Sequence, residues 1–414
     1  MTTATEPTTT HPAAPAEGRA LRWLFVKERF AWPRSSGHDV HTYGMMRALA
    51  ELGHAIAVAT LDPPSPEALA GIPFTARYCL AENNPPVPTG DAFPLTFTKS
   101  QAKFCSYWGV REDHVRQVAA AAADCAADVV VVSGLNVLPY LGAIEGRTRV
   151  WYAADEWVWH HLSLVKLLRR STWGEVRPAI VKGLYERAYR KRLERVWVVT
   201  DADARAFRWF AGVRNLDVIP NGVDAEQFRP EPTATIPNSC VFWGRLDFGP
   251  NVQALEWFVK KVWPRVRAKV PDARFRIFGF QPTAPVVALA GRDGIDLTPD
   301  LPDLRSAVRA CQVALFPFVS GGGIKNKLLE AAALGLPTIC TPRALQGLKG
   351  RVPFTPLSSS RAWANELLGL WADTERRRKL GEAARAWVTA NHTWTAAART
   401  AVDGIRSAVE RVGA

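Results

Sequence analysis

Apolar runs of strand length alternate with amphipathic segments over most of the chain. Residues 21–26 form a short apolar run, residues 43–52 have helical spacing, and residues 55–61 return to strand composition. This order predicts a βαβ unit, whose helical crossover makes the two strands parallel. Residues 128–133 read DVVVVS, and such a continuous apolar run is typical of a strand that is covered on both faces.

A second alternating series follows residues 228–238, a stretch that holds three prolines and few apolar residues. Its apolar runs predict strands at residues 240–244, 273–280, 294–298, 313–318 and 337–341, with helices between them. The whole pattern predicts an α/β protein with two doubly wound, Rossmann-like domains. We place the domains at residues 21–215 and 216–390, with a further helix at residues 391–414.

Composition narrows the functional classes. The chain has 414 residues, and its 52 Lys and Arg against 39 Asp and Glu give a net charge of +13, which favours an anionic partner. Residues 1–20 are rich in Thr, Ala and Pro and lack the basic start and apolar stretch of a secretory signal, so we expect a disordered tail. No apolar run is long enough to span a bilayer, and the scattered cysteines favour free thiols in the cytoplasm.

Common nucleotide-binding and hydrolase motifs are absent from the sequence. The first strand-to-helix turn reads PRSSGHD and carries a single glycine, which argues against a dinucleotide-binding dehydrogenase. Neither a Walker A motif nor a Gly-x-Ser-x-Gly elbow occurs. The histidine pairs at residues 38 and 41 and at residues 160 and 161 lack a zinc-type companion set. We therefore expect no bound metal, and the lack of a recognition motif argues against a nucleic-acid partner.

The segment VFWGRLDFGPN, residues 241–251, places an arginine just past the carboxyl end of a predicted strand. Ligands of open α/β sheets bind at that edge, and the planar fork of Arg245 suits phosphate oxygens. A surface arginine in a salt bridge would have the same local sequence, so Arg245 alone does not establish a ligand site.

A glycine-rich turn precedes a helix in FPFVSGGGIKNKLLEAAALGLP, residues 316–337. Glycines let a ligand approach the backbone, and the helix N-terminus offers unpaired N–H groups to an anion. Lys327 and Glu330 share one helix face, where Lys327 can reach a phosphate and Glu330 a ribose diol. An ion pair beside a flexible loop is the structural alternative. The predicted substrate-binding residues of this turn also include Gly322, Gly323 and Lys325.

These segments, together with VIPNGVD at residues 218–224, resemble glycosyltransferase family 4, the retaining sugar-nucleotide enzymes with the GT-B fold. The resemblance covers residues 21–390 and is strongest to the branch linked to bacterial exopolysaccharide assembly. It implies two domains that face across a cleft and a C-terminal helix that packs back on the first domain. It also implies transfer of a sugar from a UDP- or GDP-linked donor to a glycan or lipid-linked acceptor.

The resemblance assigns roles to individual residues. Arg245 would hold the donor diphosphate with Lys327 as the second cation, and Glu330 would bind the ribose as the second glutamate of the family's Glu-x7-Glu pattern. The loop that contains Gly37 and His38 would bind substrate from the first domain, with Gly37 near the donor β-phosphate.

Two departures from the family pattern concern the donor site. Gly322 stands where the first glutamate of Glu-x7-Glu would contact the sugar, which leaves the donor sugar open. Pro250 and Asn251 occupy the stretch after Arg245 that normally carries a lysine. Lys327, with Lys325, would offset that loss of charge.

The family's chemistry is departure of a nucleoside diphosphate through an oxocarbenium-like state, so the growing charge lies on the leaving phosphate. Arg245 and Lys327 would stabilise that charge, and the resemblance implies a reaction without metal or cofactor. Asp155 and His160 follow the strand predicted at residues 150–154 and are candidate catalytic groups near the acceptor. Asp155 would serve equally well as a helix cap.

Positive charge is concentrated between Lys166 and Arg195, where ten basic residues and three acids leave +7 of the total +13. A helix of this composition can lie on an anionic membrane surface, which would suit a lipid-linked acceptor and a peripheral location on the inner face of the cytoplasmic membrane. A solvated helical face is the alternative.

Two other functional classes fit the same residues. One is a GT-B sugar-nucleotide epimerase, which needs no acceptor. The other is a non-catalytic nucleotide-sugar binding protein, which the glycine at position 322 makes conceivable. The presence of Arg245, Lys327 and Glu330 together favours the transferase.

Overall fold

Two parallel β-sheets, one of seven strands and one of five, organise the chain. The structure is a computed structural model and describes residues 19–32, 37–87, 92–154, 158, 161, 170–301, 303–321, 323–354 and 356–412. The tail predicted at residues 1–20 lies outside the described residues except for its last two. Among the described residues, no helix combines the length and apolar character needed to cross a membrane.

The first sheet has the strand order β3-β2-β1-β4-β5-β6-β7, and every neighbouring pair is parallel. Its strands are β1 (Arg22–Lys27), β2 (Ala55–Thr60), β3 (Phe74–Cys79), β4 (Val129–Ser133), β5 (Thr148–Ala154), β6 (Arg195–Val198) and β7 (Leu216–Val218). The direction of winding reverses between β1 and β4. The carboxyl ends of these two strands therefore form the edge where a doubly wound sheet binds ligands.

Both faces of the first sheet are apolar. Successive β1 residues point to opposite sides, so Trp23 and Phe25 pack in one layer while Leu24 and Val26 pack in the other. The valine run of β4 is buried along its whole length, which confirms the prediction of a doubly covered strand. The covering helices are α1 (Gly37–Glu51), α2 (Lys99–Tyr107), α3 (Glu112–Asp124), α4 (Val176–Tyr189) and α5 (Asp201–Ala206).

The second sheet has the order β10-β9-β8-β11-β12, again with parallel neighbours. Its strands are β8 (Ser239–Arg245), β9 (Arg274–Phe280), β10 (Ile295–Pro299), β11 (Val313–Phe316) and β12 (Thr338–Cys340). The winding reverses between β8 and β11. This reversal brings the segments after Arg245 and Phe316 to the same edge, and the predicted pair of doubly wound α/β units is confirmed.

Helices on the second sheet and at the chain end complete the described fold. They are α6 (Gly249–Lys261), α7 (Trp263–Arg267), α8 (Ala284–Val287), α9 (Arg305–Arg309), α10 (Asn326–Ala333), α11 (Ser360–Ala372), α12 (Thr374–Asn391) and α13 (Trp394–Val412). Strand β7 follows the boundary that we predict at residue 215, yet it pairs with β6 in the first sheet.

The last helix crosses back to the first unit. Ala398, Ala401 and Ile405 of α13 are buried in the same apolar layer as Trp23 and Phe25 of β1. Where α13 begins, the Trp394 ring lies against α1 at Gly44, and a Cβ atom on Gly44 would stand 2.4 Å from this ring. Because only a glycine leaves room for the indole, the crossing depends on this one position in α1.

We expect Gly44→Ala to lower the free energy of unfolding by about 1–3 kcal/mol, because the added methyl group overpacks the contact with Trp394. Urea unfolding of the full chain measures the change. The matched control is Gly369→Ala in α11, whose added Cβ would meet only the flexible end of Arg376 at 3.4 Å. That control should be neutral or stabilising, because alanine is the better helix former. Equal destabilisation by both variants would contradict the role of Gly44.

Candidate functional site

Arg245 lies at the carboxyl end of β8, as its sequence position predicts, and it is held by a neighbour that sequence reasoning missed. Its guanidinium donates two hydrogen bonds to Asp247, from Nε to Oδ1 at 3.0 Å and from Nη2 to Oδ2 at 2.6 Å. These bonds raise the pKa of Arg245 and lower the pKa of the Asp247 carboxyl. The fork is therefore oriented before any ligand arrives, while 36% of the Arg245 side chain remains exposed.

Lys327 reaches the same edge from the first turn of α10. Its side chain passes over Gly244, since a Cβ atom at Gly244 would lie 1.9 Å from Lys327 Cε and 2.6 Å from its Nζ. The same Cβ would be 3.2 Å from the Asn251 side-chain nitrogen. The ammonium of Lys327 thus lies beside Asn251, the residue that occupies the stretch where the family's usual lysine is missing.

Burial and charge act together on Lys327. Burial lowers its pKa, the nearby Glu330 carboxyl opposes this effect, and Arg245 adds to it. The Lys327 side chain passes over Gly244, which directly precedes Arg245, and Glu330 follows Lys327 by three residues on α10, so the three residues are neighbours. A cation that is already costly to bury and close to a second cation gains from an anionic ligand that contacts both.

Glu330 lies below Lys327, one turn further along α10. The indole nitrogen of Trp243 donates a hydrogen bond to its Oε2 at 2.8 Å. Burial raises the pKa of Glu330, while the Trp243 hydrogen bond and the Lys327 charge lower it. Trp243 thereby orients the carboxylate and leaves Oε1 for a further donor, which sequence reasoning did not anticipate.

The glycine turn joins these groups to the rest of the site. Lys325 precedes α10, and its ammonium donates to the carbonyl of Gly323 at 3.1 Å and lies 5.6 Å from the centre of the Phe318 ring. Lys325 therefore folds back onto the turn, where it adds positive charge near the α10 N-terminus. Gly322 lies outside the described residues, so its predicted part in substrate binding stays a prediction.

The VIPNGVD segment connects the site to the first unit. Asn221 donates from its side-chain nitrogen to Oδ1 of Asn326, the first residue of α10, at 2.6 Å. The Asn221 carbonyl lies 3.0 Å from Nδ1 of the buried His392, whose Nε2 accepts from the Lys349 backbone at 3.0 Å. Burial lowers the pKa of His392, so this ring is neutral and joins three segments without adding charge.

On the first sheet, Gly37 and His38 begin α1 at the carboxyl ends of β1 and β4. Lys27, the last residue of β1, forms an ion pair with Asp39 at 2.7 Å. Burial lowers the pKa of His38 to about 4, so the imidazole is neutral at pH 7. The first half of this loop, residues 33–36, lies outside the described residues.

The candidate catalytic groups Asp155 and His160 also lie outside the described residues, so their roles stay predictions. Their neighbour His161 is described, and its Nδ1 lies 2.6 Å from Oε2 of Glu175. No group of three or more His, Cys, Asp or Glu side chains in the described part of the chain is arranged to hold a metal ion.

Comparisons with known proteins decide the family. Residues 35–227 match the sequence profile described as Glycosyltransferase Family 4, and residues 237–373 match the profile described as Glycosyl transferases group 1. The chain belongs to glycosyltransferase family 4. The resemblance inferred from VIPNGVD, the Arg245 segment and the glycine turn is thus confirmed.

A curated relative of this family 4 chain is the GDP-mannose-dependent alpha-(1-6)-phosphatidylinositol monomannoside mannosyltransferase of Mycobacterium tuberculosis. The two are 27% identical over 233 residues, and the match covers 48% of this chain and 57% of the relative. The chain therefore spans little more than half the length of the curated relatives that it matches.

Solved structures show that the family 4 chain has the GT-B fold. Anabaena HepE, solved in complex with UDP and glucose, has a TM-score of 0.64 at 14% identity and covers 94% of this chain and 100% of its own. Sucrose-phosphate synthase from Thermosynechococcus elongatus has a TM-score of 0.62 at 17% identity, and it also covers 94% of this chain and 100% of its own. WaaG, a glycosyltransferase involved in lipopolysaccharide biosynthesis, has a TM-score of 0.57 at 17% identity and covers 92% of this chain and 98% of its own.

Gly244 has a positive φ, so an alanine at this position strains the backbone. We expect Gly244→Ala to destabilise the protein by about 1–3 kcal/mol in addition to that strain, because the new methyl group would overlap the Lys327 side chain. Gly291→Ala is the matched control, since Gly291 also has a positive φ but has open space around it. A double-mutant cycle with Lys327→Ala, followed by urea unfolding, separates the two contributions. If Lys327→Ala does not reduce the extra cost at Gly244, the contact between these residues is not the cause.

Proposed function

We propose that the chain is a retaining glycosyltransferase that moves a sugar from a UDP- or GDP-linked donor to a glycan or lipid-linked acceptor. The observation that carries the proposal is the passage of the Lys327 side chain over Gly244, which brings Lys327 beside Arg245 at the N-terminus of α10, with Glu330 one turn further along the helix. Two cations and the positive end of a helix suit the diphosphate of a leaving nucleotide. Glu330 Oε1 would accept hydrogen bonds from the ribose hydroxyls.

In the proposed reaction, the bond between the anomeric carbon and the β-phosphate oxygen breaks as the acceptor oxygen bonds to the same carbon. The acceptor hydroxyl proton passes to the departing diphosphate, so atoms and charges balance. Arg245 and Lys327 stabilise the charge that grows on that diphosphate, which is the role a metal ion fills in other transferases. Closure of the two units would exclude water and limit hydrolysis of the donor.

Known relatives support either nucleotide as the donor. The mycobacterial relative is named for GDP-mannose, and HepE was solved in complex with UDP and glucose. WaaG, which shares the fold, takes part in lipopolysaccharide biosynthesis. A role in cell-surface polysaccharide synthesis is consistent with these likenesses, and it forms part of the proposal.

The experiment for the donor site is a panel of UDP-glucose, UDP-galactose, UDP-N-acetylglucosamine and GDP-mannose, with binding followed by calorimetry and nucleotide release by a coupled assay. We expect one donor to bind and to release its nucleotide slowly, and Arg245→Ala and Lys327→Ala each to lower turnover about a hundredfold. Arg265→Ala and Lys269→Ala are matched controls, since both residues are exposed on the segment that precedes β9.

The outcomes of this panel separate the functional classes. Failure of every donor, or controls that match the two site variants, would contradict the proposed site. Sugar inversion at a ring carbon without an acceptor would favour the epimerase, and tight binding without nucleotide release would favour the non-catalytic protein.

We further propose that one face of α4 rests on an anionic lipid bilayer during acceptor binding. Arg177, Ile180, Leu184 and Arg187 follow one another at intervals of three or four residues, and Lys191 continues this row in the next turn. Ile180 and Leu184 are 58% and 56% exposed. Two apolar side chains flanked by cations suit shallow insertion among anionic head groups.

Only part of the predicted basic cluster belongs to this α4 face. Arg192 donates to the Thr96 side chain and to the Gln101 side chain, and Arg195 forms an ion pair with Asp217 at 3.4 Å. These arginines stabilise the first unit instead of facing a partner. Residues 162–169, which include two of the predicted basic residues, lie outside the described residues.

We expect the protein to pellet with phosphatidylglycerol vesicles at low salt and not with phosphatidylcholine vesicles. Arg187→Gln with Lys191→Gln should weaken this binding about thirtyfold, because each of the two charges near the surface contributes about 1 kcal/mol. Leu184→Ser should weaken it as well, while Val287→Ser, an exposed apolar residue of the second unit, serves as the control. Equal binding to neutral vesicles, or no binding, would remove the bilayer as the partner.

A further inference from the structure

A cavity of ≈ 450 Å³ opens at the carboxyl ends of β1 and β4, on the first unit. Its lining mixes hydrogen-bond donors, acceptors and a flat ring: Glu28, His38, Ser133, Asn136, Trp108 and Lys182. Lys27 and Asp39 also border it, but they are paired with each other at 2.7 Å. Such a mixture of polar groups without a dominant sign of charge suits the hydroxyls and flat face of a sugar.

His38, Thr42 and Ser133 are joined in a closed ring of three hydrogen bonds. Thr42 Oγ1 lies 2.8 Å from the carbonyl oxygen of His38 and 2.7 Å from Ser133 Oγ. Ser133 Oγ in turn lies 3.4 Å from His38 Nδ1. The ring links the start of α1 to the end of β4, which are 95 residues apart in the chain.

The direction of each bond in this ring follows from the donors available. A carbonyl oxygen can only accept, so the single Thr42 proton is donated to His38. Thr42 Oγ1 must then accept from Ser133, which uses the single proton of Ser133. Ser133 Oγ can now only accept from His38, and Nδ1 is therefore the nitrogen that carries the imidazole proton.

The opposite ring nitrogen is left with a free lone pair. Among the described residues, no hydrogen bond to Nε2 is present. The centre of the His38 imidazole lies 4.8 Å from the centre of the Tyr152 ring, and His41 stacks on the same tyrosine at 4.1 Å. This aromatic packing restricts rotation of the His38 imidazole. Burial and the nearby Lys27 keep the pKa of His38 at about 4, against the opposing effect of Asp39, and the lone pair persists at pH 7.

We propose that this cavity binds a sugar of the acceptor and that His38 accepts a hydrogen bond at Nε2 from one of its hydroxyls. The proposal rests on the proposed function and deepens it, because it assigns the acceptor side of the reaction. An imidazole that is so weakly basic orients the hydroxyl and does not remove its proton, which remains for the leaving diphosphate. A phosphate would find no proton on Nε2 to bind, so His38 selects a hydroxyl over an anion.

The experiment uses full-length protein with ¹⁵N-labelled histidine, in which the His38 signals are assigned by their loss in His38→Gln. At neutral pH we expect Nδ1 to resonate as a protonated nitrogen and Nε2 as an unprotonated one. Ser133→Ala, which removes the acceptor for Nδ1, should mix the two forms. A proton on Nε2 in the parent protein would overturn the proposal.

Ligand binding is then followed on the same signal. The protein is saturated with UDP or GDP, whichever binds by calorimetry, and titrated with octyl β-D-glucopyranoside or octyl α-D-mannopyranoside. We expect one glycoside to shift the His38 Nε2 signal in the direction of hydrogen-bond acceptance. If the nucleotide binds and neither glycoside moves this signal, the acceptor assignment is wrong while the donor site stands. If neither nucleotide binds, the proposed function itself fails.

Two substitutions test the same contact in turnover. The side-chain amide of His38→Gln reaches the position of Nε2 and can accept there, whereas that of His38→Asn reaches only the position of Nδ1. We expect His38→Asn to lower transfer to the responding glycoside about tenfold through a higher KM for the glycoside, and His38→Gln to recover most of it. Nucleotide affinity, measured by calorimetry in both variants, separates a loss at the acceptor from a loss at the donor. Equal losses in the two variants would mean that His38 has only a structural role.

Discussion

The carboxyl edge of the second sheet depends on one packing constraint, the passage of the Lys327 side chain over the bare backbone of Gly244. That passage leaves no room for a Cβ atom, and it brings an ammonium group from α10 to the end of β8. Once Lys327 is there, the neighbouring charges follow. The Glu330 carboxylate partly offsets the cost of burying the Lys327 ammonium. The Arg245 guanidinium is held in place by its hydrogen bonds to Asp247. An anion that contacts both cations would relieve their mutual repulsion.

The two halves of the molecule are connected through an ion pair between Arg47 of α1 and Asp224 and through a series of uncharged contacts. Asn221 bonds the first residue of α10, and the neutral ring of His392 joins the same segment to the start of the crossing helix. Trp394 then lies against Gly44 of α1. A chain of short contacts therefore runs from the helix that carries Lys327 to the helix that begins at Gly37. Movement of one unit relative to the other would have to rearrange these contacts.

The two sides of the cleft have different chemistry. The second unit offers cations and a helix N-terminus, which suit a leaving group that gains negative charge. The first unit offers a neutral imidazole, an amide and an indole beside charged groups of both signs, a mixture that suits a hydroxyl that must be oriented without being ionised. Burial lowers the pKa of His38 to about 4 and keeps this ring uncharged, whereas Arg245 is charged at any physiological pH. A transfer in which the leaving diphosphate takes up the acceptor proton needs this combination.

The sequence by itself determined the alternation of strands and helices, the position of Arg245 after β8, the glycine turn before α10 and the family. Those features are local, because periodicity, turn residues and motif spacing are written within short stretches of chain. Tertiary structure alone decided that Lys327 lies over Gly244, that Trp243 holds Glu330, and that Thr42 and Ser133 form a hydrogen-bonded ring with His38. It also decided which arginines after α4 turn inward. These contacts join residues that are far apart in sequence, so they exist only once the order of strands brings the carboxyl ends together, and no local pattern encodes them.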